Sequence, residues 1–303
     1  MTTPAQLKDM MKGVQCIVIT PFKEDYSLDL EGLKYNLERM ISFGAHGMIV
    51  GGSLGEFSSM TMEERKLLFK TSVEAVNHRA PVVCCVADSY IERTIELARY
   101  AKEIGADGVM STPPFYAKVP EDGIFNFYKA INDAVDIGIV AYNTGRAGNM
   151  MSPKFIERLV DGVPNVVALK QGVRDIEQLE ETIYRVGDKI TCLCGSEVMA
   201  VGCLAMGYKG TTSTNASFMT NIIVDMYNAC MANDYAKARE IYYKGWGKYR
   251  RLMQDKGGQP STTKAAMNML GIPAGPVRMP MVELKDELKA ELKGILAEMD
   301  IRK

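Results

Sequence analysis

Two polar side chains in this sequence end apolar, strand-like runs, where a reactive group would stand at the edge of a core. Lys170 ends the run 166–170, and Tyr142 ends the preceding run, 138–142. Burial disfavours the charged form of an amine, and a neutral lysine is the nucleophile that attacks a carbonyl carbon. A neighbouring tyrosine can carry protons to and from the adduct. The two residues predict an imine-forming site for a carbonyl substrate.

Each of the two residues also has an explanation that involves no chemistry. Lys170 could form a buried ion pair with Asp175 or Glu197, and Tyr142 could be a packed aromatic ring with its hydroxyl hydrogen-bonded. Position alone leaves both explanations open. Lys209 and Lys264 are weaker candidate nucleophiles because neither ends an apolar strand.

Two loops could complete such a site. The sequence Gly51-Gly52-Ser53-Leu54-Gly55-Glu56 follows one apolar run, and its glycines allow close approach of the backbone to a ligand. Successive amides in such a loop can hold an anion, for which a carboxylate is suitable. The sequence Pro113-Pro114-Phe115-Tyr116 follows another run, and proline would fix Tyr116 in place. Simple tight turns are the alternative for both loops.

Short apolar runs recur every few tens of residues and predict the elements that position these side chains. Their continuous apolar character is typical of strands buried on both faces of a parallel sheet. Amphipathic stretches between them predict helices. The predicted strands are 15–20, 47–51, 82–87, 108–111, 138–142, 166–170, 190–194 and 210–213. The predicted helices are 28–43, 61–78, 92–104, one that begins at Pro153, 175–186, 219–231, 234–253, 262–270 and 284–299.

Strands that alternate with helices in this way predict an α/β fold, a (β/α)₈ barrel, with a doubly wound open sheet as the alternative. The strand signal ends at residue 213, and helical patterns follow. We therefore expect a catalytic barrel over 1–229 and a C-terminal helical region over 230–303. Active sites of such barrels lie at the C-terminal ends of the strands, where Lys170 and Tyr142 are placed.

The composition excludes several other classes of protein. The 303 residues contain 36 Lys and Arg against 37 Asp and Glu, so no basic surface for nucleic acid or an anionic membrane is expected. Five of the seven cysteines lie in apolar, strand-like runs (Cys16, Cys84, Cys85, Cys192 and Cys194), and the odd count without a disulfide framework suggests a reducing compartment. Neither of the two histidines shares a motif with the Cys192 and Cys194 pair, so no zinc site is expected. We expect a cytoplasmic protein, because no signal peptide or membrane span is recognised. No cofactor and no metal are expected.

Taken together and in order, these motifs resemble the dihydrodipicolinate synthase/N-acetylneuraminate lyase family over nearly the whole chain. The resemblance rests on Thr20-Pro21-Phe22, Gly52-Ser53-Leu54-Gly55-Glu56, Pro114-Phe115-Tyr116, Tyr142-Asn143, Ala168-Leu169-Lys170, and Gly275-Pro276-Val277-Arg278 with Pro280. It implies a Schiff-base-forming lyase or aldolase that acts on pyruvate or a 2-keto-3-deoxy sugar acid. It also leaves open a condensation of pyruvate with aspartate semialdehyde, as in lysine synthesis, or a dehydratase that uses the same imine.

The resemblance also implies a role for each catalytic residue. Lys170 would form the imine, and Tyr142, Ser53 and Tyr116 would form a proton relay. In the family, the tyrosine at the position of Tyr116 comes from a neighbouring subunit, which implies a homotetramer built as a dimer of dimers.

Four further residues are expected to bind the substrate by the same resemblance. The loop at Gly52 and Leu54 would hold the pyruvyl carboxylate, and the backbone of Thr212 would lie close to the bound group. Arg146 would bind a second carboxylate.

Three departures from the family pattern bear on the substrate and on regulation. Leu54 stands where synthases and lyases usually carry a second hydroxyl residue. Residues 142–146 read Tyr-Asn-Thr-Gly-Arg, without the proline of the synthase pattern and one residue shorter, which affects the placement of Arg146. Tyr90 replaces an asparagine of the lysine feedback site, so no inhibition by lysine is expected. The run 55–60 is closer to that of some sugar-acid aldolases.

Two functions from other classes fit the same fold. One is a barrel isomerase that binds phosphate at Gly195-Ser196 and residues 210–214, but no carboxylate and histidine pair stands at the predicted strand ends. The other is a non-catalytic protein that binds a 2-oxo acid. Retention of the lysine and both tyrosines argues against the second.

Overall fold

Eight parallel strands close into a barrel in the order in which they occur along the chain, and β8 pairs with β1. The computed structural model describes residues 1–253, 256 and 258–302. The strands are β1 Gly13–Ile17, β2 Gly47–Val50, β3 Val82–Cys85, β4 Gly108–Ser111, β5 Gly138–Asn143, β6 Val166–Gln171, β7 Thr191–Cys194 and β8 Gly210–Ser213. Every strand residue is buried, as the continuous apolar runs predicted. The closed barrel confirms the predicted fold and excludes the open sheet.

Helices α2 to α9 each follow one strand of the barrel, and α10 to α13 follow the last of these. The described helices are α1 Pro4–Met10, α2 Leu30–Ser42, α3 Met62–Val76, α4 Ile91–Glu103, α5 Glu121–Ala134, α6 Pro153–Gly162, α7 Ile176–Val186, α8 Ala200–Ala205, α9 Ala216–Met231, α10 Tyr235–Ile241, α11 Gly247–Leu252, α12 Ser261–Met269 and α13 Asp286–Ala297. Capping side chains account for the N-termini of α3 and α6. Thr61 and Glu64 form a reciprocal capping box before α3, and Ser152 caps α6 with Pro153 as its first residue.

The structure refines the predicted helices in two ways. The predicted helix 234–253 is divided, because a π-helical turn at Tyr242–Trp246 separates α10 from α11. Helices α1, α5 and α8 were not predicted individually. The expected domain boundary after residue 229 falls inside α9 and stays a prediction.

Helix α1 lies at the N-terminal end of the barrel, where it packs against β5 and β6. Its Leu7 is fully buried. At the opposite end, the segment after α12 packs against the loop that follows β1, and the N–H of Phe22 donates to the carbonyl of Ala274 at 3.1 Å. Gly275 has φ 63°, and a Cβ there would lie 1.7 Å from the carbonyl oxygen of Phe22. Only glycine fits this close approach.

All seven cysteines are buried free thiols, which agrees with the apolar contexts of the five in strand-like runs. Burial raises the pKa of Cys16 and of Cys192 to about 12. In the part of the chain that the structure describes, no helix is long and apolar enough to cross a membrane. Within the same residues, no three His, Cys, Asp or Glu side chains are grouped in a way that could hold a metal ion.

Candidate active site

A cavity of about 140 Å³ opens at the C-terminal ends of the strands. Its walls come from the ends of β5, β6 and β8, from the segments after β2 and β7, and from the C-terminal region at Met253 and Gln259. The cavity therefore lies where parallel barrels place their active sites. Six of the residues that the sequence analysis selected line it: Ser53, Leu54, Tyr142, Arg146, Lys170 and Thr212.

Lys170 and Tyr142 are paired across neighbouring strands. They are directly opposite each other in the register of β5 and β6. The Nζ atom of Lys170 lies 4.0 Å from the centroid of the Tyr142 ring. The two side chains are 5% and 9% exposed, so each reaches the cavity from a mostly buried position. An amine and a phenol are thus held in contact at the floor of the cavity.

The surroundings of Tyr142 favour its ionised form. Burial by itself would raise the pKa of this phenol, but the nearby charge of Lys170 and a hydrogen bond with Thr144 lower it below its ordinary value. The charge of Arg146 acts in the same direction. A phenol with a lowered pKa gives up its proton more readily, which suits a group that exchanges protons with a substrate.

The loop after β2 brings Ser53 and Leu54 to the cavity through a tight turn. Gly51 has φ 64°, and a Cβ at this position would lie 2.9 Å from the ring of Phe69. A short 3₁₀ turn, Ser53–Gly55, follows at once. Leu54 is 9% exposed and presents an aliphatic side chain at a position where members of the resembled family usually carry a hydroxyl. Gly52 precedes the lining residues and is buried beside them.

Thr212 and Arg146 lie on other walls of the cavity. Thr212 belongs to β8 and is 3% exposed. Arg146 lies in a 3₁₀ turn after β5, where its N–H donates to Oγ1 of Thr144 at 3.4 Å. Its guanidinium donates to the side-chain oxygen of Gln259 at 3.2 Å. The shorter loop thus still brings this arginine to the cavity.

Tyr116 is placed differently from the other predicted residues. Its side chain is 102% exposed, and its φ of 76° is in the left-handed region that a non-glycine residue rarely adopts. The surrounding loop is nevertheless fixed. Asn149 donates to the carbonyls of Pro114 and Ala117 at 2.7 and 2.8 Å, and the hydroxyl of Ser89 donates to the carbonyl of Phe115 at 2.7 Å. The loop therefore projects the phenol into solvent, away from the cavity of its own chain.

Glu197 is a cavity residue that the sequence analysis did not select for a functional role. It follows β7 and receives hydrogen bonds from the Ser213 hydroxyl and from Asn215, whose Nδ2 lies 2.6 Å from Oε2. Burial raises the pKa of this carboxyl, and the hydrogen bonds and the charge of Lys170 oppose the rise. Glu197 was one possible ion-pair partner of Lys170, but among the described residues its carboxylate is bound by Ser213 and Asn215 and forms no ion pair with Lys170. Asp175, the other possible partner, caps α7.

Arg174 also lines the cavity and was not selected by the sequence analysis. It follows β6 by three residues, in a polar loop whose sequence carries no motif. The only available signal for both residues was their position just after a predicted strand.

Comparison with known proteins decides the family. The model of the dihydrodipicolinate synthetase family matches residues 10–299. The chain belongs to that family. The 4-hydroxy-tetrahydrodipicolinate synthases of Methanocaldococcus jannaschii and Methanoculleus marisnigri are similar to it, at 32% and 34% identity. The first alignment covers 96% of this chain and 100% of the relative, and the second covers 95% and 99%.

Solved structures of the dihydrodipicolinate synthetase family share the fold. The dihydrodipicolinate synthase of Thermotoga maritima has a TM-score of 0.91 at 27% identity, over 95% of this chain and 98% of the other. A prophage protein of the family from E. coli K12, solved with pyruvate, also has a TM-score of 0.91 at 27% identity, over 96% and 99% of the two chains. Family membership confirms the predicted class, a Schiff-base-forming lyase of the class I aldolase type.

Proposed function

We propose that Lys170 is the residue that forms the imine, with pyruvate or with the pyruvyl end of a 2-keto-3-deoxy sugar acid as substrate. The observation that carries this proposal is the position of its amine, at the buried end of β6 and 4.0 Å from the Tyr142 ring in the cavity. The amine attacks C2 of the 2-oxo acid, and water leaves. The resulting imine then withdraws electrons from the adjacent carbon, so that a C–C or C–O bond can break or form.

The other cavity residues are proposed to bind the substrate and to move protons. Tyr142 relays protons with Ser53, and its lowered pKa supports this role. The backbone at Gly52 and Leu54 holds the carboxylate of the 2-oxo acid, because the first N–H groups of the 3₁₀ turn have no acceptor inside that turn. The backbone of Thr212 lies beside the bound group.

Arg146 is proposed to bind an anionic group on the second substrate or on the distal part of a sugar acid. Arg146 and Arg174 both line the cavity, which supports an anionic partner. The names of the relatives favour a 4-hydroxy-tetrahydrodipicolinate synthase. The loop at 142–146, which departs from the synthase pattern, and the run 55–60, which is closer to that of some sugar-acid aldolases, favour a 2-keto-3-deoxy acid lyase or dehydratase.

A homotetramer built as a dimer of dimers is proposed as the active assembly, with Tyr116 inserted into the site of a neighbouring subunit. The exposure of Tyr116 and the hydrogen bonds that fix its loop support this arrangement. Completion of the proton relay then requires a second chain. Seven buried free thiols support the proposal of a reducing, cytoplasmic location.

Trapping the imine tests this function. The protein is incubated with pyruvate and borohydride, digested, and analysed by mass spectrometry. The reduced adduct is expected on the peptide that contains Lys170, and Lys170→Ala should abolish both labelling and turnover. Lys209→Ala is the control, since Lys209 is an exposed residue just before β8. An adduct on another lysine, with Lys170→Ala still active, would refute the assignment.

A panel of aldehydes and sugar acids then separates the possible reactions. Pyruvate consumption in the presence of aspartate semialdehyde indicates the synthase. Release of pyruvate from a 2-keto-3-deoxy acid indicates the lyase. Loss of water from that acid without release of pyruvate indicates the dehydratase.

A further inference from the structure

A buried ion pair lies behind the loop that follows β2. The Nζ atom of Lys264, on α12, is 2.7 Å from Oε1 of Glu56, and the two side chains are 1% and 2% exposed. The same amine donates to the carbonyl of Pro276 at 2.7 Å and stands 4.1 Å from the centroid of the Phe22 ring. Burial lowers the pKa of Lys264 to about 8, although the charge of Glu56 opposes this. Removing two charges from water is costly, so this pair is a weak source of stability.

The second carboxylate oxygen of Glu56 is also held by the C-terminal region. The N–H of Arg278 donates to Oε2 of Glu56 at 2.9 Å. The guanidinium of Arg278 donates to Oε2 of Glu64 and to the carbonyl of Ser59, both at 2.8 Å. Lys264 and Arg278, which follow the barrel in the chain, thus bind both oxygens of the Glu56 carboxylate. Arg278 also binds Ser59 and Glu64, which follow Glu56 in the chain.

These anchors stabilise an unfavourable backbone conformation. Glu56 has φ 57° and ψ 36°, the left-handed region, where a residue with a Cβ persists only if its surroundings hold it. Its N–H donates to the carbonyl of Ser53 at 3.3 Å, and the hydroxyl of Thr20 donates to the carbonyl of Gly55 at 2.7 Å. The conformation of Glu56 is therefore coupled to the turn that carries Ser53 and Leu54 into the cavity.

We propose that Glu56 and Lys264 are positioning residues that fix the Ser53–Leu54 backbone and thereby set the affinity of the site for the carboxylate of a 2-oxo acid. The proposal rests on the function proposed above. Neither residue is among the described residues that line the cavity, so the pair acts through the loop and does not touch the substrate. A loop that is already ordered loses less conformational entropy when the carboxylate binds.

The test removes both charges at once with the double variant Glu56→Gln/Lys264→Met. Replacing both members avoids a single unpaired buried charge, which would destabilise the fold. The pyruvate concentration that gives half-maximal borohydride labelling of Lys170 should rise by roughly tenfold, because binding must then order the loop. The labelling at saturating pyruvate should stay unchanged. Amide hydrogen exchange at residues 53–56 should become faster in the absence of any ligand.

Two further variants separate positioning from stability. Leu292→Ala leaves a cavity at a fully buried position on α13, a helix that carries neither Glu56 nor Lys264. It should lower the melting temperature but leave the half-maximal pyruvate concentration unchanged. Glu56→Asp keeps the charge and shortens the side chain, and should give a smaller rise than the double variant.

The outcomes are distinguishable. The positioning role would be overturned if the double variant showed the pyruvate dependence and the amide exchange of the wild type. If the double variant fails to fold, an unchanged pyruvate dependence in Glu56→Asp would overturn it instead. If wild-type protein takes no label at Lys170, the proposed function is refuted, and the amide exchange still decides whether the pair fixes the loop.

Discussion

Replacement of Leu54 by threonine should tighten pyruvate binding. Leu54 is 9% exposed and lines the cavity beside Ser53, on the loop proposed to hold the substrate carboxylate. An aliphatic side chain cannot donate a hydrogen bond, whereas threonine places a hydroxyl on the same Cβ. Leu54→Thr therefore adds one donor to the carboxylate site without moving the loop.

The expected size of the effect follows from two opposing contributions. A hydrogen bond to a charged group is worth about 1.5–3 kcal/mol. Part of this is offset by the cost of ordering the hydroxyl and removing its water. A net gain of about 1.4 kcal/mol corresponds to a tenfold lower dissociation constant. The lost leucine packing should reduce the stability of the fold by about 1–2 kcal/mol, which affects unfolding rather than binding.

The assay measures borohydride labelling of Lys170 as a function of pyruvate concentration. Leu54→Val is the matched control, because valine has the shape of threonine without the hydroxyl. The threonine variant should reach half-maximal labelling at a pyruvate concentration up to roughly tenfold lower than the valine variant. Equal affinities of the two variants would refute the reasoning and would indicate that Leu54 serves the shape of the substrate.

Three further predictions concern assembly, regulation and stability. Tyr116→Phe should lower turnover by about 10²–10⁴, and mixing it with Lys170→Ala should restore activity in mixed dimers; exchange of subunits without recovery would show that Tyr116 acts within its own chain or not at all. Millimolar lysine should not inhibit turnover, because Tyr90 replaces the asparagine of the feedback site, and strong inhibition in an enzyme assay would contradict this. Gly275→Ala should destabilise the fold by more than about 1 kcal/mol, since its Cβ would overlap the Phe22 carbonyl; an unchanged denaturation midpoint would show that the segment can move.

The barrel was predictable because a strand buried on both faces leaves a continuous apolar run in the sequence. Residues 108–111 and 210–213 were predicted with the bounds that the structure has. The short helices α1 and α8 escaped individual prediction, since one or two turns contain too few residues to show a 3.6-residue period. The π-helical turn that separates α10 from α11 has no established sequence signature, so the pattern predicted one continuous helix.

Site residues that lie at strand ends could be predicted from the sequence. Contacts that depend on tertiary packing could not. Lys170 and Tyr142 could be placed side by side because consecutive strands of a barrel are neighbours. The pairing of Lys264 with Glu56 could not be foreseen, because it joins the loop after β2 to α12 across the whole chain. Family resemblance supplied the expected partner-subunit role of Tyr116, which no single chain can test.

The burial of every thiol makes the native chain resistant to thiol reagents, which attack accessible thiolates. Labelling at neutral pH then requires the structure around a thiol to open, so its rate reports the free energy of that opening. A compound that binds the folded protein reduces the open population by mass action and slows the labelling. The seven cysteines therefore provide a screen for the unknown second substrate that requires neither turnover nor knowledge of the reaction.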